Sequence, residues 1–174
     1  MLHHPIIKPP YSDAPAYCHY FFDLVTGSNL IEALQSTKAA TLALMEKIPA
    51  SKWHHAYAPN KWTTIEVLRH IIDCERVYAY RALRFSRMDD TELAGFDENL
   101  FIASSKAINN SITDTAEEFE TVRQSTIKLF EPMTDAMLDF KATANKVGFT
   151  ARGLGYMAAG HNIHHCNFIL TNYL

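Results

Sequence analysis

The sequence predicts an all-α protein, a four-helix bundle, on three observations. Two capping-box patterns, Asn29 with Glu32 and Thr63 with Glu66, each open a long segment whose apolar residues recur at steps of three and four. Proline closes such segments, at Pro49 and Pro132, and does not interrupt them. Glycine is scarce, six in 174 residues, and β-branched runs are few, which argues against a sheet-based core.

A chain of 174 residues is long enough to bury one core, so a single domain over 1–174 is expected. The apolar and charged fractions, 48% and 20%, are those of an ordinary globular protein. A net charge of −3 offers no basic footprint for nucleic acid. No apolar run approaches the roughly 18 residues of a membrane span. The first residues lack the charged head and apolar core of a signal peptide, and three scattered cysteines make no disulfide framework. A cytoplasmic protein is the expectation.

Residues 1–16 hold four of the seven prolines and are expected to form an extended arm on the body, with His3 and His4 a free terminal pair. The aromatic run YCHYFFDLV after it reads as a short buried helix or an irregular anchor. Helices are then expected over 30–47, 63–86, 114–131 and 151–172. In the first, Leu30, Leu34, Thr41, Leu44 and Ile48 lie along one face, with Thr37 on the same stripe. In the second, Ile65, Leu68, Ile72, Ala79 and Leu83 share a face that Glu75 alone interrupts with charge. His70, Cys74, Val77 and Arg81 form the adjoining stripe, with Tyr78 beside them. Gly95, Asp97 and Asn99 break any periodicity in 87–110, which reads as a long loop of the kind that rims a pocket. The third helix, opened by Thr113 or Thr115, carries Phe119, Val122, Thr126 and Leu129 on one face. KATANKVGF reads as a loop or small hairpin leading to Thr150, an N-cap. The long connection between the second and third helices makes the bundle antiparallel with one crossover.

The last helix holds the most informative stretch, TARGLGYMAAGHNIHHCNFILTNYL. Leu154, Ala158, His161, His165 and Phe168 recur at steps of four and three, so two histidines interrupt an otherwise apolar face. Two imidazoles one turn apart can converge on a metal ion, and imidazole suits zinc, nickel, iron or copper. The alternative is a pair of ordinary histidines bonded to backbone or water.

The segments KWTTIEVLRHIIDCERVYAYRALRF, GFDEN and GLGYMAAGHNIHHCNFI resemble the DinB-like family, in its metal-dependent hydrolase-like branch. The resemblance runs across 61–169 and rests on W-T before a helical histidine, GFD in the following loop, and G-H-x-x-H-H in the last helix. It implies a DinB/YfiT-like bundle of up-down-down-up topology with three histidines at one end of a central cavity. The implied metal ligands are His70, His161 and His165, with His164 pointing aside and Cys74 either a fourth ligand or a small core residue. Zinc or nickel is the leading candidate ion, with a low-molecular-weight thiol as a possible cosubstrate, and a homodimer is the implied assembly.

Three imidazoles leave coordination positions open, the pattern of a catalytic site. A metal-activated water or thiolate attacking a small-molecule substrate then follows, in a hydrolase or a thiol S-transferase. The position that carries the glutamate base in HExxH proteases is Asn162 here, which cannot accept a proton. Glu75, Asp97 and Glu98 are the alternative bases, whereas thiol transfer needs none. Arg81 and Arg84, with Tyr78, are candidates for holding an anionic substrate or thiol, against the plainer reading of surface ion pairs. Non-catalytic alternatives are a bundle that binds metal or ligand without turnover and a stress-related interaction protein whose histidines are structural.

Overall fold

The structure, a computed structural model, describes residues 4–174; His3 of the expected terminal pair lies outside them, and His4 is exposed. Four long helices carry the fold: α2 (Leu30–Lys47), α3 (Thr64–Ser86), α5 (Ile112–Phe130) and α7 (Ala151–Asn172). Each begins at a side-chain cap. Asn29 Oδ1 accepts from the Ile31 N–H, Thr63 and Glu66 complete a capping box, Ser111 accepts from the Asp114 N–H, and Thr150 accepts from the Gly153 N–H. The third start is a correction: Ser111, ahead of Thr113 and Thr115, takes the cap, so the helix begins two residues earlier than periodicity suggests.

Side-chain contacts fix the directions of the helices. Arg69 meets Glu118 and Glu75 meets Arg123, so α3 and α5 run parallel. Tyr78 lies against His161 and His70 against His165, so α3 and α7 run antiparallel. Leu30 packs at Gly155 and Thr41 bonds to Asn162, so α2 and α7 are parallel. The result is the up-down-down-up order, in which α2 and α3 both pack on α5 and α7.

The smaller elements brace this frame. A short α1 (Ala16–Leu24) replaces the either-or reading of the aromatic run. It crosses α7 so closely that a Cβ at Gly160 would fall 2.0 Å from the Phe21 carbonyl oxygen. Ahead of it, the proline-rich arm is anchored where the Ile6 carbonyl accepts from Leu30 N–H and Tyr156 O–H. The segment 87–110 is not all loop. Asp97 caps α4 (Glu98–Ser105) by accepting from the Leu100 N–H, and Lys106 in the left-handed region ends it. Only Ile102 of that helix is buried, so it carries no apolar stripe to read. After α6 (Asp135–Asp139), strands β1 (Lys141–Ala144) and β2 (Val147–Thr150) form a hairpin. Its turn residues Asn145 and Lys146 both have positive φ, the type I′ geometry that matches strand twist. Leu93 bonds to both Thr143 and Asn145, which ties the crossover to the hairpin.

The apolar core falls into two clusters, with a polar layer across the bundle between them. Thr37 and Thr41 from α2, Glu75 from α3, Arg123 from α5 and Asn162 from α7 are all buried there. Arg123 forms a two-pronged pair with Glu75, at 2.7 and 2.8 Å. Its remaining N–H groups reach the Leu34 carbonyl, the Thr37 hydroxyl and Asn162 Oδ1. Removing one member of such a pair strands the other charge in the core. Arg123→Met is expected to lower the unfolding free energy by about 3–5 kcal/mol in urea denaturation, and adding Glu75→Leu is expected to recover most of the loss.

Candidate metal centre

His70, on the α7-facing side of α3, meets His161 and His165, one turn apart on α7. The Nε2 atom of His161 lies 3.1 Å from His70 Nε2 and 3.1 Å from His165 Nε2. These contacts cannot both be good hydrogen bonds, because a neutral imidazole nitrogen has either one N–H or one lone pair to offer. A cation that accepts one lone pair from each ring resolves the conflict. Three such donors around an ion at 2.0–2.1 Å would be roughly 3.3 Å apart at tetrahedral angles, close to what is observed. The donor set therefore fits a divalent transition-metal ion. His165 Nδ1 is buried without a hydrogen-bond partner, so no protein group holds the outer face of that ring.

Burial keeps the cluster neutral. It drives the His70 pKa down to about 4, with His164 adding to the effect, and drives His165 down to about 3, with His70 and His164 adding. His161 is held well below the usual histidine range, first by burial and then by the neighbouring rings. Buried desolvation raises the Cys74 thiol far above its ordinary value, and its Sγ lies 3.5 Å from His70 Nδ1. It is fully buried at the edge of the cluster. His164 points away, bonded to the Tyr20 hydroxyl at 3.2 Å. Tyr78 closes the inner side, its ring perpendicular to that of His161 at 5.7 Å.

The proposed bases separate clearly. The Glu75 carboxylate is held by Arg123 within the polar layer. Asp97 Oδ1 serves as the cap of α4. Glu98, the first residue of that helix, lies with His70 and Cys74 in a group whose ligand atoms are all within 4.8 Å of one another. Partial burial, and then the charge of Asp97, raises its carboxyl above the usual range. Asn162 turns out to be structural, accepting from Thr41 and Arg123.

The two arginines expected at the substrate have other partners. Arg81 donates to the Ala94 carbonyl at 3.0 Å and lies over the Phe96 ring. Arg84 is paired with Asp89 and bonded to Tyr80. Both hold the crossover segment against α3. The opening beside the histidines is a pocket of about 310 Å³ that includes His165, Trp62, Phe168, Tyr173, Lys61 and Asn99. Each of these stands in a segment singled out from the sequence, Lys61 and Trp62 ahead of α3, Asn99 at the end of GFDEN, and His165, Phe168 and Tyr173 in the last-helix stretch, yet only His165 is marked there as a site residue. A larger cavity of about 810 Å³ lies between α2 and α5, around Met45, Trp53 and Ala116, away from the histidine cluster.

An antiparallel-parallel helix bundle with three converging imidazoles at its core defines the class. The chain belongs to the DinB superfamily, whose sequence pattern it matches over residues 33–169. Its fold is similar to that of YfiT from Bacillus subtilis, described as a probable metal-dependent hydrolase with an unusual four-helix bundle topology. The TM-score is 0.73 at 17% identity, over 81% of this chain and 82% of that one. It is also similar to the DinB-like protein YjoA from Bacillus subtilis, with a TM-score of 0.59 at 20% identity, over 81% and 86%. No curated protein sequence matches. Among the described residues, no helix is long and apolar enough to cross a membrane.

The depressed pKa values set a pH dependence of stability for the metal-free protein. Unfolded histidines take up protons below pH ~6.5, whereas folded His70 and His165 resist protonation until about 4 and 3. Protonation across that window therefore favours the unfolded state. Thermal unfolding followed by circular dichroism is expected to show a midpoint that falls steadily from pH 6.5 to 4. The fall should be shallower in His165→Ala. Metal affinity is expected to stay nearly level from pH 7 to 5 and to drop only nearer 4.

Proposed function

We propose that the chain is a metal-dependent hydrolase of small molecules, with His70, His161 and His165 as ligands and Glu98 as proton acceptor. The observation that carries this reading is the convergence of three neutral imidazole nitrogens, 3.1 Å apart in two pairs, beside a pocket open to solvent. Bound there, a zinc or nickel ion would supply Lewis acidity toward a water or thiol nucleophile and a substrate carbonyl. The chain's own residues do the rest. Burial keeps the three rings unprotonated, so they are available as donors near neutral pH. Tyr78 packs against the inner side of the His161 ring. Glu98 offers a carboxylate that partial burial, and then Asp97, push above the usual range, the direction that strengthens a proton acceptor. YfiT's description as a probable metal-dependent hydrolase agrees with this reading.

Thiol transfer is the second reading, favoured by the absence of a carboxylate at Asn162, and it gives a low-molecular-weight thiol the place of water. Cytoplasmic location and pairing of two copies belong to the same proposal. For pairing, exposed Leu170 and Leu174 near the end of α7, and Tyr17 and Tyr20 on α1, supply apolar surface. Sedimentation as a clean 19.7 kDa species would contradict the pairing.

The test joins metal analysis to a panel of esters and amides, run with and without low-molecular-weight thiols. One equivalent of metal is expected per chain, and His165→Ala should lose metal and turnover together while remaining helical. Glu98→Gln is expected to keep the metal and lower kcat for hydrolysis by about 10²–10⁴-fold, with little loss if the reaction is thiol transfer. Full activity in the metal-free protein would exclude the proposal.

A further inference from the structure

We propose that the pocket opening onto His165 selects small anions bearing a flat unsaturated group, with Lys61 binding the charge. This rests on the metal-site reading above, and it adds the class of substrate that such a site admits.

The walls set the flat part. Tyr57, Phe168 and Tyr173 pack edge to face, with ring centroids 5.5, 5.3 and 6.0 Å apart. Trp62 leans on the His70 ring at 4.9 Å, so a ligand's plane lies among rings that are themselves fixed by packing. The Tyr173 hydroxyl does not recognise the ligand, because it donates to the Trp62 carbonyl at 2.6 Å.

Polar recognition is left to Asn60, Asn99 and Lys61. Lys61 follows Asn60, which adopts the left-handed conformation at φ 61°, and its N–H donates to the Ala58 carbonyl at 3.3 Å. That closed turn brings the lysine to the pocket mouth. No Arg, Asp or Glu and no other Lys lines the pocket, and Lys61 has no ion-pair partner among the described residues. Glu66, the acid nearest it in sequence, is committed elsewhere, accepting from the Thr63 N–H and hydroxyl, both at 2.7 Å. A ligand whose anion meets Lys61 thus leaves its uncharged part for the aromatic wall and His165. About 310 Å³ is at the small end of ligand sites, which restricts the pocket to compact molecules.

The experiment titrates the full-length, zinc-loaded protein with benzenesulfonate and with methyl phenyl sulfone, two poor metal ligands of similar shape that differ in charge. Binding is read from the Trp62 indole and Lys61 amide signals in ¹H–¹⁵N spectra. Benzenesulfonate is expected to bind about fivefold more tightly, a preference lost in Lys61→Met and kept in Lys61→Arg. Equal affinities, binding of neither probe, or a preference that survives Lys61→Met would overturn the proposal. Neither probe is turned over, so a failure of the hydrolase reading shows in the ester panel and leaves this titration unaffected. Should the protein take up no zinc, the same titration on the protein as purified decides the pocket's preference separately.

Discussion

Arg123 donates to groups on all three of the other bundle helices: Glu75 on α3, Leu34 and Thr37 on α2, and Asn162 on α7. A guanidinium has five N–H donors in a rigid plane, so its partners must arrive at set heights along their helices. Burying an ion pair gives little net stability, because desolvation of both charges offsets most of their attraction. Its effect is on register. A slip of one turn in any helix would leave a charge or an amide unpaired in the core. His161 is the residue before Asn162 and His70 lies five before Glu75, so the same constraint that seats the polar layer also fixes the height at which the imidazoles meet.

The crossover and the first helix finish what the register begins. Gly160 lets α1 lie directly on α7, which brings Phe21 to 5.6 Å from the His161 ring and Tyr20 to the hydroxyl bond with His164. His164 is thereby turned away from the cluster. Arg81 and Arg84 hold the segment after α3, from which Asp97 starts α4 with Glu98 in its first turn beside His70. The arginines thus hold the backbone of the crossover segment rather than facing the pocket beside His165.

Much of this was legible in the sequence. Capping boxes and three-four spacing marked the long helices because their caps are local and their stripes continuous. The histidine pair on α7 stood out because two imidazoles on an apolar face need partners. That His70 is the third depends on tertiary packing and came only from the family resemblance. Glu75 was visible as a charge on an apolar stripe, and Arg123, four residues after buried Phe119 and four before buried Ile127, carries the same signal. An acid and a base each interrupting a core face are the sign of a buried pair, and that is where the structure places Glu75. The helix α4 was illegible for a different reason: with one buried residue in eight, it is held by its cap and its place on α3, neither of which leaves a period. The pocket residues Lys61, Asn99 and Phe168 come from three separate segments, and only folding brings them together.

X-ray absorption at the metal edge of the purified protein tests the central claim most directly, because it counts the donors around the ion. The account predicts one divalent metal per chain with a first shell of three imidazole nitrogens at about 2.0–2.1 Å, completed by oxygen alone. A sulfur shell near 2.3 Å, which would make Cys74 a ligand, or a metal content that is unchanged in His161→Ala, would contradict it.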